Sequence, residues 1–211
     1  LENERGSIKV GKWADFVLAD QDVFDCPVTD IRKTKVVATW FEGSEAYSRN
    51  TKDASPQFVW VEAEDFAKKG DWLVDTQFTH VMGSAYLICP GANRATERAA
   101  ETSVDFPKPG SWAAWVRTKD WLPEFSPGKF LLSVEGVESP VLGASGRAGW
   151  RWQRAGTFRL DAGRRKVALR DLSGAYARCD AIVFTTDAAY VPPEEPDRLA
   201  RERARLSGVD L

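Results

Sequence analysis

The chain has 211 residues, 43% hydrophobic and 28% charged, with a formal net charge of −2. This is ordinary globular composition without the basic excess of a nucleic-acid binder, and no apolar run approaches the ~20 residues of a membrane-spanning helix. A single histidine, His80, rules out a multi-histidine metal centre and leaves histidine-based triads without support.

The chain opens "LENERGSIKV", without an initiator methionine or an apolar leader, and reads as a piece of a longer protein. In residues 1–49, "SIKV", the turn "GK" and "WADFVLAD" read as a hairpin, with Ala14, Phe16 and Leu18 on one face. After a loop around Pro27, "TKVVATWFEGSEAYS" reads as strand, turn at Glu42-Gly43, and strand. So few strands bury little, so this segment needs a partner sheet. Residues 50–57 are polar and carry Pro56, a linker signature.

Residues 58–190 are a run of short strands separated by Gly/Pro turns, the pattern of an all-β sandwich. The strands read as 57–65, 72–78, 85–90, 101–107, 110–120, 128–136, 137–143, 150–156, 157–163, 165–173 and 179–187, with a helical turn or two in "NRATERAAE". Period-two alternation places Trp112, Ala114 and Val116 on one face, and Val167 with Leu169. Residues 191–211 open with prolines and acids and continue with arginines. They read as a linker or mostly solvated helical tail, because only Leu199 and Leu206 form an apolar pair. Cys26, Cys89 and Cys179 show no C-x-x-C spacing and read as free thiols.

The first 48 residues resemble the C-terminal end of metal-dependent amidohydrolases, on Gly6, Ser7, Ile8, Gly11, Lys12, Ala14, Asp15, Phe16, Val17, Leu18 and Asp20. In that family such strands complete a small sandwich, while the metal site lies in an intervening barrel absent from these residues. The resemblance thus implies a parent hydrolase acting on C–N bonds, and no catalytic residue here. Residues 58–187 resemble carbohydrate-binding modules of the galactose-binding-like, jelly-roll type, on "VEAEDF", "PGSWAAWVRTKDW", "WRWQRAGTFRLDAGRRKVALRDL" and "ARCDAIVFTTD". The stretches "VDTQF…MGSAYL" and "RTKDW" are similar to modules beside flavin-dependent oxidoreductase domains. No G-x-G-x-x-G occurs, so the chain carries no flavin-binding fingerprint. An extracytoplasmic location would follow if the chain serves a polysaccharide-degrading system.

The second resemblance implies a structural Ca²⁺ at Glu62, Glu64 and Asp180. Calcium takes six to eight hard oxygens, and a cation would relieve the repulsion of two carboxylates on one strand face. The competing reading pairs the glutamates with Arg178 or leaves them on a wet edge. Sugar binding needs an aromatic ring against the apolar face of a pyranose and polar groups for its hydroxyls. The candidates are Trp121 and Trp150, with Tyr176 and Arg178 standing where the family pattern expects an asparagine. Two functions follow: a non-catalytic carbohydrate-binding module, or a structural or docking module of a multidomain enzyme without a sugar ligand. The partners expected are a carbohydrate or neighbouring catalytic domains.

Overall fold

The computed structural model describes residues 7, 9–48, 56–91, 94–120 and 128–207. They form two compact units, Leu1–Ser55 and Pro56–Leu211.

The first unit is a three-stranded antiparallel sheet of β1 (Phe16–Ala19), β2 (Val36–Phe41) and β3 (Ser44–Ser48), with a single helical turn, α1 (Val28–Ile31), between β1 and β2. The β2–β3 turn is the one read from Glu42-Gly43. Both residues have positive φ, 52° and 77°, as a tight hairpin turn requires. The expected hairpin between "SIKV" and "WADFVLAD" is different: Ser7 and Lys9–Val10 lie outside any strand, Ile8 lies outside the described residues, and β1 pairs with β2. Phe16 stacks on Trp40 with ring centroids 4.5 Å apart. Among the described residues of this unit only Ala38 is buried, and Phe16, Val17, Leu18 and Phe41 remain exposed.

The second unit is a sandwich. Its strands are β4 (Phe58–Glu62), β5 (Leu73–Asp75), β6 (Tyr86–Ile88), β7 (Ala100–Phe106), β8 (Gly110–Lys119), β9 (Phe130–Val134), β10 (Val137–Glu138), β11 (Trp150–Leu160), β12 (Gly163–Asp171) and β13 (Arg178–Thr185). A short helix, α2 (Thr79–Met82), precedes β6, and α3 (Pro196–Ser207) ends the described chain. One sheet runs β10-β9-β12-β7. The other runs β11-β8-β13-β6-β5, with β4 pairing the second half of β13 and β6 its first two residues.

The inner faces bury the expected alternating residues. Trp112, Ala114 and Val116 of β8 meet Ile182 and Phe184 of β13, and Val167 and Leu169 face them from β12. Phe106 makes edge-to-face contacts with Trp112 and Phe184 at 5.0 and 5.2 Å, and Trp72 with Phe130 at 5.6 Å. Two strands expected at 150–156 and 157–163 are one, β11, whose register shifts between Arg154 and Gly156. Gly156 has φ 112°, so the glycine forms a bulge in the strand rather than ending it. The "NRATERAAE" segment contains no helix among its described residues, and it leads into β7.

The tail forms the expected short helix, α3, but the helix docks on the sandwich. Leu199 of α3 is buried against the outer face of the larger sheet, with Trp152, Ala181 and Val183. Phe58, Trp60, Trp115, Tyr190 and Leu206 complete this second cluster. Trp152 donates from its indole nitrogen to Pro193 O (3.1 Å), and its backbone N–H donates to Glu194 Oε1 (2.8 Å). Tyr190 donates to Glu202 Oε1 at 2.8 Å. Two leucines suffice because the sheet supplies the aromatic surface that they cover.

Near the start of the sandwich, Lys68 and Glu101 exchange backbone hydrogen bonds, and the Asp71 backbone N–H donates to Arg98 O while the Arg98 N–H donates to Asp71 Oδ2. Gly70 lies between Lys68 and Asp71 with φ 59°. A Cβ there would stand 2.2 Å from Ala99 O. Gly163 also has positive φ, 95°, but open space around it. Gly70→Ala is therefore expected to destabilise the chain by about 3 kcal/mol, and Gly163→Ala by about 1 kcal/mol for the backbone alone. Equal denaturant midpoints for the two variants would contradict the close approach.

Candidate functional site

The outer face of the larger sheet carries two adjoining groups of candidate side chains beside the cluster covered by α3. The first is ionic. β4 stops at Glu62, and Ala63–Asp65 forms a 3-10 turn, so Glu64 leaves the strand that Glu62 ends. Asp180 lies in β13, fully buried. Its Oδ2 accepts from Arg117 Nη1 at 2.9 Å, and its Oδ1 accepts from Arg203 Nη2 at 3.1 Å. Arg203 comes from α3, and its Nη2 also donates to Glu62 Oε2 at 3.3 Å. Arg203 Nε lies 2.9 Å from Glu62 Oε1, an ion-pair distance whose angle falls outside hydrogen-bond geometry. Ser84 donates weakly to Asp180 Oδ1 at 3.4 Å.

Burial raises the carboxyl pKa of Glu62 and of Asp180, and Arg203 opposes the shift at both. Glu64 has no arginine among its main influences. Burial, with Glu62 and Asp180 nearby, lifts it to about 7, and its Oε2 is buried without a hydrogen-bond partner. The three carboxylates expected to share a cation thus do converge, but the positive charge between Glu62 and Asp180 is Arg203. Arg178 is not their partner: it donates to the backbone carbonyl of Tyr176 at 2.8 Å.

These residues do not fit a calcium ion as they stand. Calcium takes six to eight oxygens turned toward one point at ~2.4 Å, and side-chain carboxylates supply its charge compensation. Both oxygens of Asp180 face guanidinium donors instead. Among the described residues no group of three or more His, Cys, Asp or Glu side chains could hold a metal ion.

The second group is aromatic, at the edge where β6, β8, β11 and β13 begin or end. Trp150 packs edge-to-face on Tyr86 (5.0 Å) and Phe78 (6.0 Å). Lys119 Nζ lies 4.1 Å from the Phe78 ring centroid, and the Arg117 guanidinium 6.0 Å from that of Trp150. Tyr86 donates to Asp75 Oδ2 at 2.6 Å, and burial with that acceptor pushes its hydroxyl up to about 12. Buried Arg178 lies beside Tyr86, with its guanidinium 6.0 Å from the Tyr176 ring. Burial lowers the pKa of both Arg178 and Lys119.

Tyr176 is 42% exposed and has φ 59°, unusual for a bulky residue. Its ring lies over Gly91, where a Cβ would come within 2.3 Å of it. Trp150, Tyr176 and Arg178 are thus brought to one neighbourhood through Tyr86, with Trp150 half-buried. Trp121 lies outside the described residues. Phe78, Tyr86, Lys119 and Arg203 carry no individual site signal in the sequence, whereas Arg117, at a strand end, reads there as a structural ion-pair former and pairs with Asp180. The alternation of "SWAAWVRTK" does signal that Arg117 and Lys119 share a face opposite to Val116. His80 is exposed in α2, and Cys89 and Cys179 are buried free thiols.

The fold and side chains define a β-sandwich whose outer sheet face carries an aromatic and cationic cluster, preceded by a small separate sheet. The first 47 residues match the Amidohydrolase family. No curated protein matches the chain. Similar solved structures include the Podospora anserina GH26-CBM35 β-(1,4)-mannanase, at 18% identity and TM-score 0.49 over 65% of this chain and 29% of that one. A family 35 carbohydrate-binding module from Clostridium thermocellum is similar at 19% identity and TM-score 0.49, over 64% of this chain and 99% of its own length. The CBM35 from Paenibacillus barcinonensis is similar at 17% identity and TM-score 0.48, over 60% and 97%.

The Glu64 environment gives a pH dependence with a definite sign. Its pKa in the folded chain, about 7, is above the unfolded value, so the folded state holds a proton that the unfolded chain releases. The corresponding stability is complete below ~4.3 and is lost as pH rises through the folded value. Melting temperature is expected to fall from about pH 5 to about pH 8, and the fall should shrink in Glu64→Gln. Identical pH profiles for the two proteins would assign the effect to another group.

Proposed function

We propose that the second unit is a non-catalytic carbohydrate-binding module carried on an amidohydrolase-type C-terminal segment. The observation that carries this reading is Tyr176: an exposed ring, held on left-handed backbone against Gly91, next to the Arg178 guanidinium and the Trp150 cluster. Unusual backbone conformations concentrate at ligand contacts. A fixed ring offers its face to pyranose C–H groups without losing rotamer freedom, and cationic donors beside it suit sugar hydroxyls or carboxylates. The residues in named roles are Tyr176 and Trp150 as aromatic contacts and Arg178 as the group that orients the site, with Trp121 proposed from sequence as a further aromatic contact.

A docking role for the first unit has its own support. Its three strands leave Phe16, Val17, Leu18 and Phe41 exposed. An apolar sheet of this kind is stable only against another sheet or chain. We assign it to a neighbouring catalytic domain of amidohydrolase type, with the sandwich as the appended module.

A glycan array followed by calorimetry on the full chain tests the sugar reading. Binding of at least one glycan is expected, weakened about tenfold or more in Tyr176→Ala. Absence of binding to every glycan would leave the docking role alone. Binding that survives Tyr176→Ala unchanged would move the site elsewhere on the sandwich.

A further inference from the structure

The meeting of Arg203 with Glu62 and Asp180 joins parts of the chain far apart in sequence. We propose that Arg203 is the resident cation of this carboxylate cluster, so that the sandwich is closed by a side chain of its own C-terminal helix where a bound divalent ion would otherwise serve.

Three observations carry the inference. The first is occupancy: Asp180 is fully buried, with one oxygen on Arg203 and the other on Arg117, which is 3% exposed. Both oxygens of this aspartate already face guanidinium donors, so a metal ion bound there would sit against two fixed positive charges. The second is connectivity. Arg203 Nη1 also donates to the backbone carbonyl of Met82, and its guanidinium lies 5.5 Å from the Trp60 ring centroid. One side chain therefore ties β4, β13 and α2 to α3, as a shared ion would tie oxygens from separate strands. The third is delivery. Leu199, buried on the same helix one turn earlier, fixes α3 on the sheet. A tethered cation meets its site at high effective concentration, whereas a free ion must be drawn from solution. Arginine suits the position because it stays charged when buried and its planar fork reaches two carboxylates at once. The inference does not depend on sugar binding.

The test is thermal unfolding of the full chain in EDTA and in millimolar calcium chloride. Wild-type melting temperature is expected to be the same in both. A calcium-dependent rise of several degrees, as mass action gives a ligand bound only by the folded state, would overturn the proposal. Arg203→Met is expected to lower the melting temperature by roughly 10 °C in either buffer. Melting indistinguishable from wild type would also overturn it. If that variant does not fold, Arg203→Lys, which keeps the charge and loses the fork, supplies the comparison. A partial drop relative to wild type in EDTA is the expected result, and melting indistinguishable from wild type in EDTA would refute the assignment.

Discussion

Strand β13 imposes the constraint on which the second unit depends. All eight of its residues, Arg178–Thr185, are buried. A strand buried on one face needs one partner layer; a strand buried on both needs two. The sheet β10-β9-β12-β7 provides the first, covering Cys179, Ile182 and Phe184. The second cannot be solvent, because Ala181 and Val183 face outward among Trp60, Trp115 and Trp152. The docking of α3 follows from this excess of apolar surface. Its sequence is mostly charged, but the side that meets the sheet needs only Leu199 and Leu206 to close the cluster.

An aspartate in the middle of such a strand raises an electrostatic problem that the same helix solves. An unpaired carboxylate at Asp180 would cost several kcal/mol in desolvation. Arg117, on the neighbouring strand β8, meets one oxygen, and Arg203 meets the other. Hydrophobic cover and charge compensation thus come from one element. Removing α3 would uncover tryptophans and leave Asp180 half-paired together, which couples the stability of the tail to that of the sandwich.

This coupling also explains which parts of the molecule were legible in the sequence. Local patterns carried the strands: alternation in "SWAAWVRT" and "KVALRDL" reports inward faces because the side-chain period of a strand is two. The Glu42-Gly43 turn was legible for the same reason, as a backbone requirement written in adjacent residues. The partner of Glu62 was not. Arg203 lies 141 positions away, and nothing local distinguishes it from Arg201 or Arg205. Yet the uninterrupted "AIVF" of β13 was a usable signal. A strand without polar alternation implies cover on both faces, and the tail holds the only later helix pattern with apolar residues to supply it. The bulge at Gly156 was misread as a strand end because a glycine carries the same local signal in both roles.

The two units show the opposite outcomes of one rule. Both begin as sheets with more apolar surface than one layer can hide. In the second unit the surplus face of the larger sheet is covered by residues of the same unit, and the edge beyond the helix keeps Tyr176 exposed beside Arg178. In the first, three strands bury only Ala38 among the described residues, and stacking of Phe16 on Trp40 shields little of the rest. A sheet with that exposure gains most from an external layer, whereas the sandwich has no comparable need. One rule therefore gives two results: the larger sheet of the sandwich has its surplus apolar face covered by α3, while the three-stranded sheet keeps Phe16, Val17, Leu18 and Phe41 exposed.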